Sequence, residues 1–498
     1  VGTPHLVFEA DRQCFFGEWV HVSRPRRPGS ALLDESSVIC YFNTPRTPSP
    51  TPLSIKTTRQ TIDLLLEPRW IAAVDPDVVL KNHAVAVHDG RIVDVLPTGE
   101  ARDRFDPGQR VVLEDHILIP GLVNLHTHAA MTLMRGLADD LPLMDWLEKH
   151  IWPAESANVS QQFVYDGTRL ACAEMLAGGI TCFNDMYFYP EAAAAAAAEF
   201  GMRAMLGITA IEFPTPYASD ADDYIDKGLA VREQWLNHPL IGFCLAPHAP
   251  YTVSDATFER LATLAAQINI PIHCHIHETR REIEESRHLH GLTPLARLQR
   301  LGLLGPGFIG VHGIHIDEPD LELLAATGCS VVHCPTSNLK LGGGIAPVVR
   351  MRQAGINVGL GTDGAASNNR LDMFGEMRLA ALLAKGSSGD ASALPAREAL
   401  RMGTLDGATA LGLAGEIGSI TPGKAGDLVA VSLRGLNTTP CYDPVSHLIH
   451  VAGRECVTHV WVAGKCCVDH KKLSWHGQND LESAITLWQN TLEVRGES

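Results

Sequence analysis

The sequence predicts an α/β protein, a (β/α)8 barrel of the TIM type joined to a small β-sandwich domain built from both chain ends. Three observations carry this. Eight short apolar runs, near residues 117–126, 180–186, 203–211, 240–247, 270–276, 308–314, 329–334 and 357–362, alternate with helical segments, the rhythm of a parallel barrel. Polar residues gather where those runs give out, and the C-terminal strand ends form the active face of such a barrel. Alternating strand patterns before and after the eight runs give both chain ends the texture of one small sheet.

Taken in order, residues 1–57 stand apart. They hold Arg24-Pro25-Arg26-Arg27-Pro28 and a Pro/Thr/Ser stretch at 43–54 that suits neither ladder nor helix, so a disordered extension is expected. The arginines suit a transit peptide, but Asp11, Glu18, Asp34 and Glu35 spoil its acid-poor signature. From Ile62 short alternating runs begin. Residues 84–88 and 91–95 meet at Asp89-Gly90, a strong hairpin signal, and residues 427–431 and 457–464 repeat the texture. The small domain is therefore expected over 58–117 and 422–475, the barrel over 118–421 and a C-terminal helix over 476–498. The alanine tract at 192–198, flanked by Glu191 and Glu199, reads as a helix that tolerates the surface.

Composition excludes several function classes. Apolar residues make up 45% and charged residues 19% of the 498, which leaves no room for global disorder. A net charge of −17 opposes a phosphate backbone, so no nucleic-acid partner is expected. No apolar run is long enough to span a bilayer, so no membrane partner is expected. The twelve cysteines are scattered without a Cys-x-x-Cys pair, which argues against a thiolate zinc site and for a reducing compartment, the cytoplasm by default.

The chemistry concentrates in three places. His126-Thr127-His128 sets two imidazoles on one side of a strand end, where they can hold one metal ion, although a lone His-x-His is as often a pair of surface histidines. His273, His275 and His277 share one face at the end of the fifth run by the same period of two, and one of them supplies a third ligand. Asp363, between Thr362 and Gly364 after Gly361, closes the eighth run with a short carboxylate in a tight turn and completes the set. Three imidazoles and one carboxylate suit zinc, or iron or manganese under other supply, with a position left for water. Asp185, His248, Glu278, His312, Ser337 and Asn338 also fall at strand ends.

Residues 120–128, His275-x-x-Glu278, His312 and 361–364 together resemble the amidohydrolase superfamily, over roughly residues 62–470. Residues 131–136, the 146–155 stretch, 246–252 and 333–338 resemble the 5-methylthioadenosine/S-adenosylhomocysteine deaminase family. The resemblance implies that His126, His128, His275 and Asp363 are the metal ligands and that Glu278 protonates the purine ring. It implies that Asp363 and His312 handle the proton of the water that attacks C6, that Glu155 receives the ribose hydroxyls, and that His248 contacts substrate near the reacting centre. No lysine follows the fourth run, where dinuclear relatives carry a carbamylated one, so one metal is expected. The implied substrate is a small purine nucleoside (methylthioadenosine, adenosine or S-adenosylhomocysteine), and a homo-oligomer is expected.

Competing readings share the site. A free-base deaminase of the guanine type, or a triazine hydrolase, uses the same metal but does not require Glu155. A non-catalytic scaffold would have shed ligands, and none is missing. No arginine occurs between Ala204 and Val231, where some relatives place arginines towards the amino-acid tail of S-adenosylhomocysteine, which leaves the 5′ end open. Trp146 and Trp152 read as core packing before pocket lining. Asp185 and His333 read as supports of a ligand, and His450, His459 and His470 as surface residues of the tail sheet.

Overall fold

The computed structural model describes residues 59–496, with side chains through Glu493. The extension expected over residues 1–57 lies outside the described residues.

Five strands open the described chain: β1 (Gln60–Ala72), β2 (Val79–Lys81), β3 (His83–His88), β4 (Arg91–Pro97) and β5 (Phe105–Pro120). The β3–β4 turn is Asp89-Gly90, and both residues take positive φ (47° and 73°), the type I′ geometry that lets a two-residue loop follow strand twist. Eight parallel strands follow: β6 (Leu122–Thr127), β7 (Ile180–Asp185), β8 (Arg203–Ala210), β9 (Ile241–Pro247), β10 (Ile272–Ile276), β11 (Phe308–His312), β12 (Ser330–His333) and β13 (Asn357–Leu360). They pair in chain order. β13 returns beside β6, where the amide of Asp363 donates to the carbonyl of His126 at 2.9 Å and nearly closes the barrel. Four strands end the chain: β14 (Leu428–Ser432), β15 (Val457–Val462), β16 (Lys465–Asp469) and β17 (Lys472–Leu473), before the helix Gln478–Gly496.

The strands from the two ends form one sheet of nine, in which β14 pairs antiparallel with β5 and β1 pairs parallel with β5. That sheet curls over a core of its own: Leu64 and Leu66 from β1, Val85 and Val87 from β3, Leu428 from β14 and Trp461 from β15 belong to one buried cluster. The tips of the β3–β4 and β15–β16 hairpins touch, since a Cβ on Gly90 would stand 2.7 Å from the carbonyl oxygen of Ala463. The sandwich is thus a single ladder folded on itself. Its other buried face merges with the barrel, because Ile117, Ile119, Val429 and Val460 share a cluster with Phe183, Phe243 and Leu360.

The apolar run expected as one strand over 117–126 is two. β5 ends at Pro120 in the sheet and β6 starts at Leu122 in the barrel, with Gly121 between them pressed against Thr181, where a Cβ would collide with that side chain. The alanine helix Pro190–Phe200 is largely buried rather than surface-borne, since Ala192, Ala193, Ala194, Ala196 and Ala197 are all core residues.

Candidate active site

The strand ends bring His126, His128, His275 and Asp363 together. Nε2 of His126 and Nε2 of His128 stand 3.3 and 3.4 Å from Asp363 Oδ1, and Nε2 of His275 stands 3.3 Å from Nε2 of His126. Each imidazole is oriented through its other nitrogen. Nδ1–H of His128 donates to the carbonyl of Met186 at 2.6 Å, Nδ1–H of His275 to the carbonyl of His248 at 2.8 Å, and Nδ1 of His126 pairs with Nε2 of His273 at 3.1 Å. These bonds turn the Nε2 lone pairs inward, the outer-shell arrangement of histidine metal ligands. Burial keeps His126 neutral, its pKa pushed down to about 4. Burial works against ionised Asp363, but the hydrogen bond from His126 and the imidazoles of His126, His128 and His312 hold its carboxyl well below the usual range. Neutral imidazoles and an ionised carboxylate are the protonation states a divalent cation requires.

The backbone is shaped to make this possible. Asp363 and His312 lie at φ 64° and 73°, a left-handed conformation that costs non-glycine residues about 1–3 kcal/mol each and collects at functional sites. A Cβ on Gly361 would fall 2.8 Å from the amide nitrogen of His126, so only glycine lets β13 come this close to β6. Ser337 donates to Asp363 Oδ2 at 2.6 Å and the amide of Gly364 donates to Oδ1 at 2.7 Å, which fixes the carboxylate.

Around this cluster stand the other expected residues. His312 Nε2 lies 3.6 Å from Glu278 Oε1, and its Nδ1–H donates to Asn338 Oδ1 at 2.9 Å. Burial opposes a charged His312, but Glu278 and Asp363 outweigh it and its pKa rises; burial likewise raises that of Glu278. Glu282 accepts the amides of His277 and Glu278 at 3.0 and 2.9 Å and so pins the backbone that presents Glu278. His248 meets Thr252 Oγ1 at 3.1 Å and is kept neutral by burial, its pKa lowered to about 3.

These residues line a cavity of about 280 Å³ whose lining includes His128, His248, His275, Glu278, His312 and Asp363. Glu155 and Tyr187 also line it, and the Tyr187 hydroxyl donates to Glu155 Oε1 at 2.7 Å. The remaining wall is mostly apolar, with Leu143, Ile151, Ile211, Phe213 and Pro216, and among the described residues no lysine or arginine lines it. Trp146 and Trp152 both line this cavity, Trp146 while also belonging to the buried core as expected.

Two expectations are corrected, for His277 and His459. His273 and His275 share a face, but β10 ends at Ile276 and His277 turns away at φ 50°, its Nδ1 meeting the carbonyl of His315 at 3.1 Å. Asp185 accepts the amide of Ala129 at 2.7 Å and so braces the turn after His128, in line with the supporting role expected of it. His459 is buried at 4% exposure rather than on the surface. Tyr187 and Glu282 were not singled out by sequence: a tyrosine two residues past β7 and a glutamate four past Glu278 bear no mark until the fold shows what they hold.

Residues 117–467 match the profile of the amidohydrolase family. The chain belongs to the amidohydrolase family. This amidohydrolase is 46% identical over 443 residues to a 5-methylthioadenosine/S-adenosylhomocysteine deaminase of Saccharophagus degradans, covering 89% of this chain and 99% of the relative. It is similar in structure to an adenosine deaminase from Xanthomonas campestris solved with bound zinc, at 48% identity and a TM-score of 0.86, over 88% of this chain and all (100%) of that one. Atrazine chlorohydrolase from Arthrobacter aurescens complexed with zinc superposes with a TM-score of 0.80 over 86% of this chain and 100% of that one, at 23% identity, a likeness of fold alone.

Proposed function

We propose that this amidohydrolase hydrolyses the 6-amino group of an adenosine-type nucleoside, releasing ammonia and the inosine analogue. The observation that carries the reading is the pairing of two carboxyl groups in one cavity: Glu278 beside the inward-facing imidazoles, and Glu155, held by Tyr187, farther along the wall. His126, His128, His275 and Asp363 fit one divalent ion, zinc as in the Xanthomonas relative, by their donor types and their 3.3–3.4 Å spacing. Such an ion, when bound, supplies a water whose pKa falls from about 15.7 towards roughly 7.

The chain's own residues do the rest. Glu278, its pKa raised by burial, gives its proton to the purine ring nitrogen as C6 is attacked. Asp363 and His312 accept the attacking water's first proton and pass it to the departing amine, and the second, left on the C6 hydroxyl, returns to Glu278 as the carbonyl forms. Glu155 receives the ribose hydroxyls, Tyr187 taking one of its two oxygens. His248, neutral, contacts substrate beside the reacting carbon. No lysine or arginine among the described residues lines the cavity to receive the carboxylate of S-adenosylhomocysteine, which favours methylthioadenosine and adenosine as substrates. The described cysteines are all free, which suits a reducing compartment, the cytoplasm in this reading.

The test is a panel of adenosine, methylthioadenosine, S-adenosylhomocysteine, guanine and a chlorotriazine, run on metal-loaded enzyme. Methylthioadenosine and adenosine should lead. Guanine or triazine turnover that matches theirs and ignores Glu155→Gln would replace the nucleoside reading with a free-base or triazine one.

A further inference from the structure

The tail sheet holds a second group of metal-ligating side chains, far in sequence from the barrel face. Nε2 of His459 on β15 stands 3.3 Å from Oδ1 of Asp469 at the end of β16, and Nδ1 of His470 stands 2.7 Å from the same oxygen. One ligand atom from each of the three lies within 4.8 Å of the others. We propose that His459, Asp469 and His470 form a second divalent-metal site, for a borderline cation of the zinc type, which staples the β16–β17 hairpin to β15.

The buried imidazole points to a ligand. His459 is only 4% exposed, and its Nε2 has no hydrogen-bond partner although a carboxylate oxygen is 3.3 Å away, because that oxygen lies off the direction a ring N–H needs. Its other nitrogen is engaged with Thr458 Oγ1 at 2.8 Å, so Nε2 is the one left to bind. An oxygen and a nitrogen 3.3 Å apart are the edge of a tetrahedron whose arms are about 2.0–2.1 Å, the usual zinc distances. The same edge recurs in the barrel, at 3.3 Å between His126 and Asp363 and between His275 and His126.

The hairpin supports this arrangement. Asp469 pairs with Lys472, so His470 and Lys471 form the two-residue turn, at φ 48° and 67°. Those positions favour Asn and Gly, yet here the first carries an imidazole folded back to 4.5 Å, edge-on, from the His459 ring. Burial lowers the pKa of His459, which keeps it in the neutral form a metal needs. Two imidazoles and a carboxylate, with water completing the shell on the solvent side, match the donor preference of zinc over magnesium or calcium. On binding, the 2.7 Å contact between Asp469 and His470 opens to a ligand edge.

The test counts metal on the full chain. Enzyme stripped by chelator is titrated with zinc against a chromophoric competitor, for wild type, His470→Ala and Asp469→Asn, both changes being at exposed positions. Wild type should take two equivalents and each variant one, with kcat/KM unchanged and with the second equivalent raising Tm in wild type alone. One equivalent in wild type, or two in both variants, overturns the proposal. The count does not depend on which substrate the barrel accepts, so failure of the deaminase reading would leave it standing.

Discussion

Tyr187→Phe removes one hydroxyl and nothing else from the cavity wall. That hydroxyl donates to Glu155 Oε1 at 2.7 Å, and a hydrogen bond to a charged group is worth about 1.5–3 kcal/mol. If Glu155 holds the ribose hydroxyls, the loss falls on nucleoside binding, an increase in KM of roughly 10- to 150-fold at about 1.4 kcal/mol per tenfold. The effect has a pH signature. Burial raises the pKa of Glu155 and the Tyr187 bond lowers it, so the variant carboxyl protonates at higher pH than the wild-type one. KM in the variant should therefore worsen as pH falls, while the wild-type curve stays flatter over the same range. Steady-state ammonia release from adenosine and from 2′,3′-dideoxyadenosine measures this directly, since the second substrate has no hydroxyls for Glu155 to accept. The variant should lose its factor on adenosine and almost nothing on the dideoxy compound. Equal losses on both would show that Tyr187 supports the fold of the wall and that Glu155 does not read the ribose.

Other outcomes are expected. Glu278→Gln should lower kcat by about 10²–10⁴, the range of general acid catalysis, with metal content and Tm unchanged; single-turnover rates and metal analysis check it. Gly361→Ala drives a Cβ to 2.8 Å from the His126 amide, so about 1–3 kcal/mol of stability and tight metal retention should be lost together, seen by urea melts and metal content after dialysis. Burial alone would raise the pKa of Glu67, but bidentate bonds from Arg102 and Arg110 prevail and hold it at about 2. Its stabilising contribution, about 2 kcal/mol once the half-exposed guanidinium groups are discounted, is complete above pH 4.5 and disappears as pH falls towards 2. The difference in Tm between wild type and Glu67→Gln should follow that window.

The barrel was legible because each of its strands is buried on both faces and so appears as an unbroken apolar run ending in a polar residue. The same property hid the join between β5 and β6: both sides of Gly121 are buried, and the sequence offers no polar break. Period-two reasoning placed His126 with His128 and His273 with His275, and failed at His277, where the chain had already left the strand at φ 50°. The gathering of His126, His128, His275 and Asp363 could be anticipated because all sit at strand ends. The grip of Tyr187 on Glu155 could not, since it joins two segments 32 residues apart with no shared pattern. His459 looked like a surface residue because it alternates within a tail strand, and only the turn that brings His470 over it shows why it is covered.

Pairing β5 with β14 has a consequence for synthesis on the ribosome. Pro120 pairs in register with Leu428, and everything that makes the barrel lies between them. At about 5–20 residues per second, β5 leaves the tunnel roughly 15–60 seconds before its antiparallel neighbour exists. During that interval the first five strands present an open, apolar edge of the kind that recruits other chains. β14 is therefore what makes β5 safe, and a nascent chain stalled inside the barrel would be a template for aggregation.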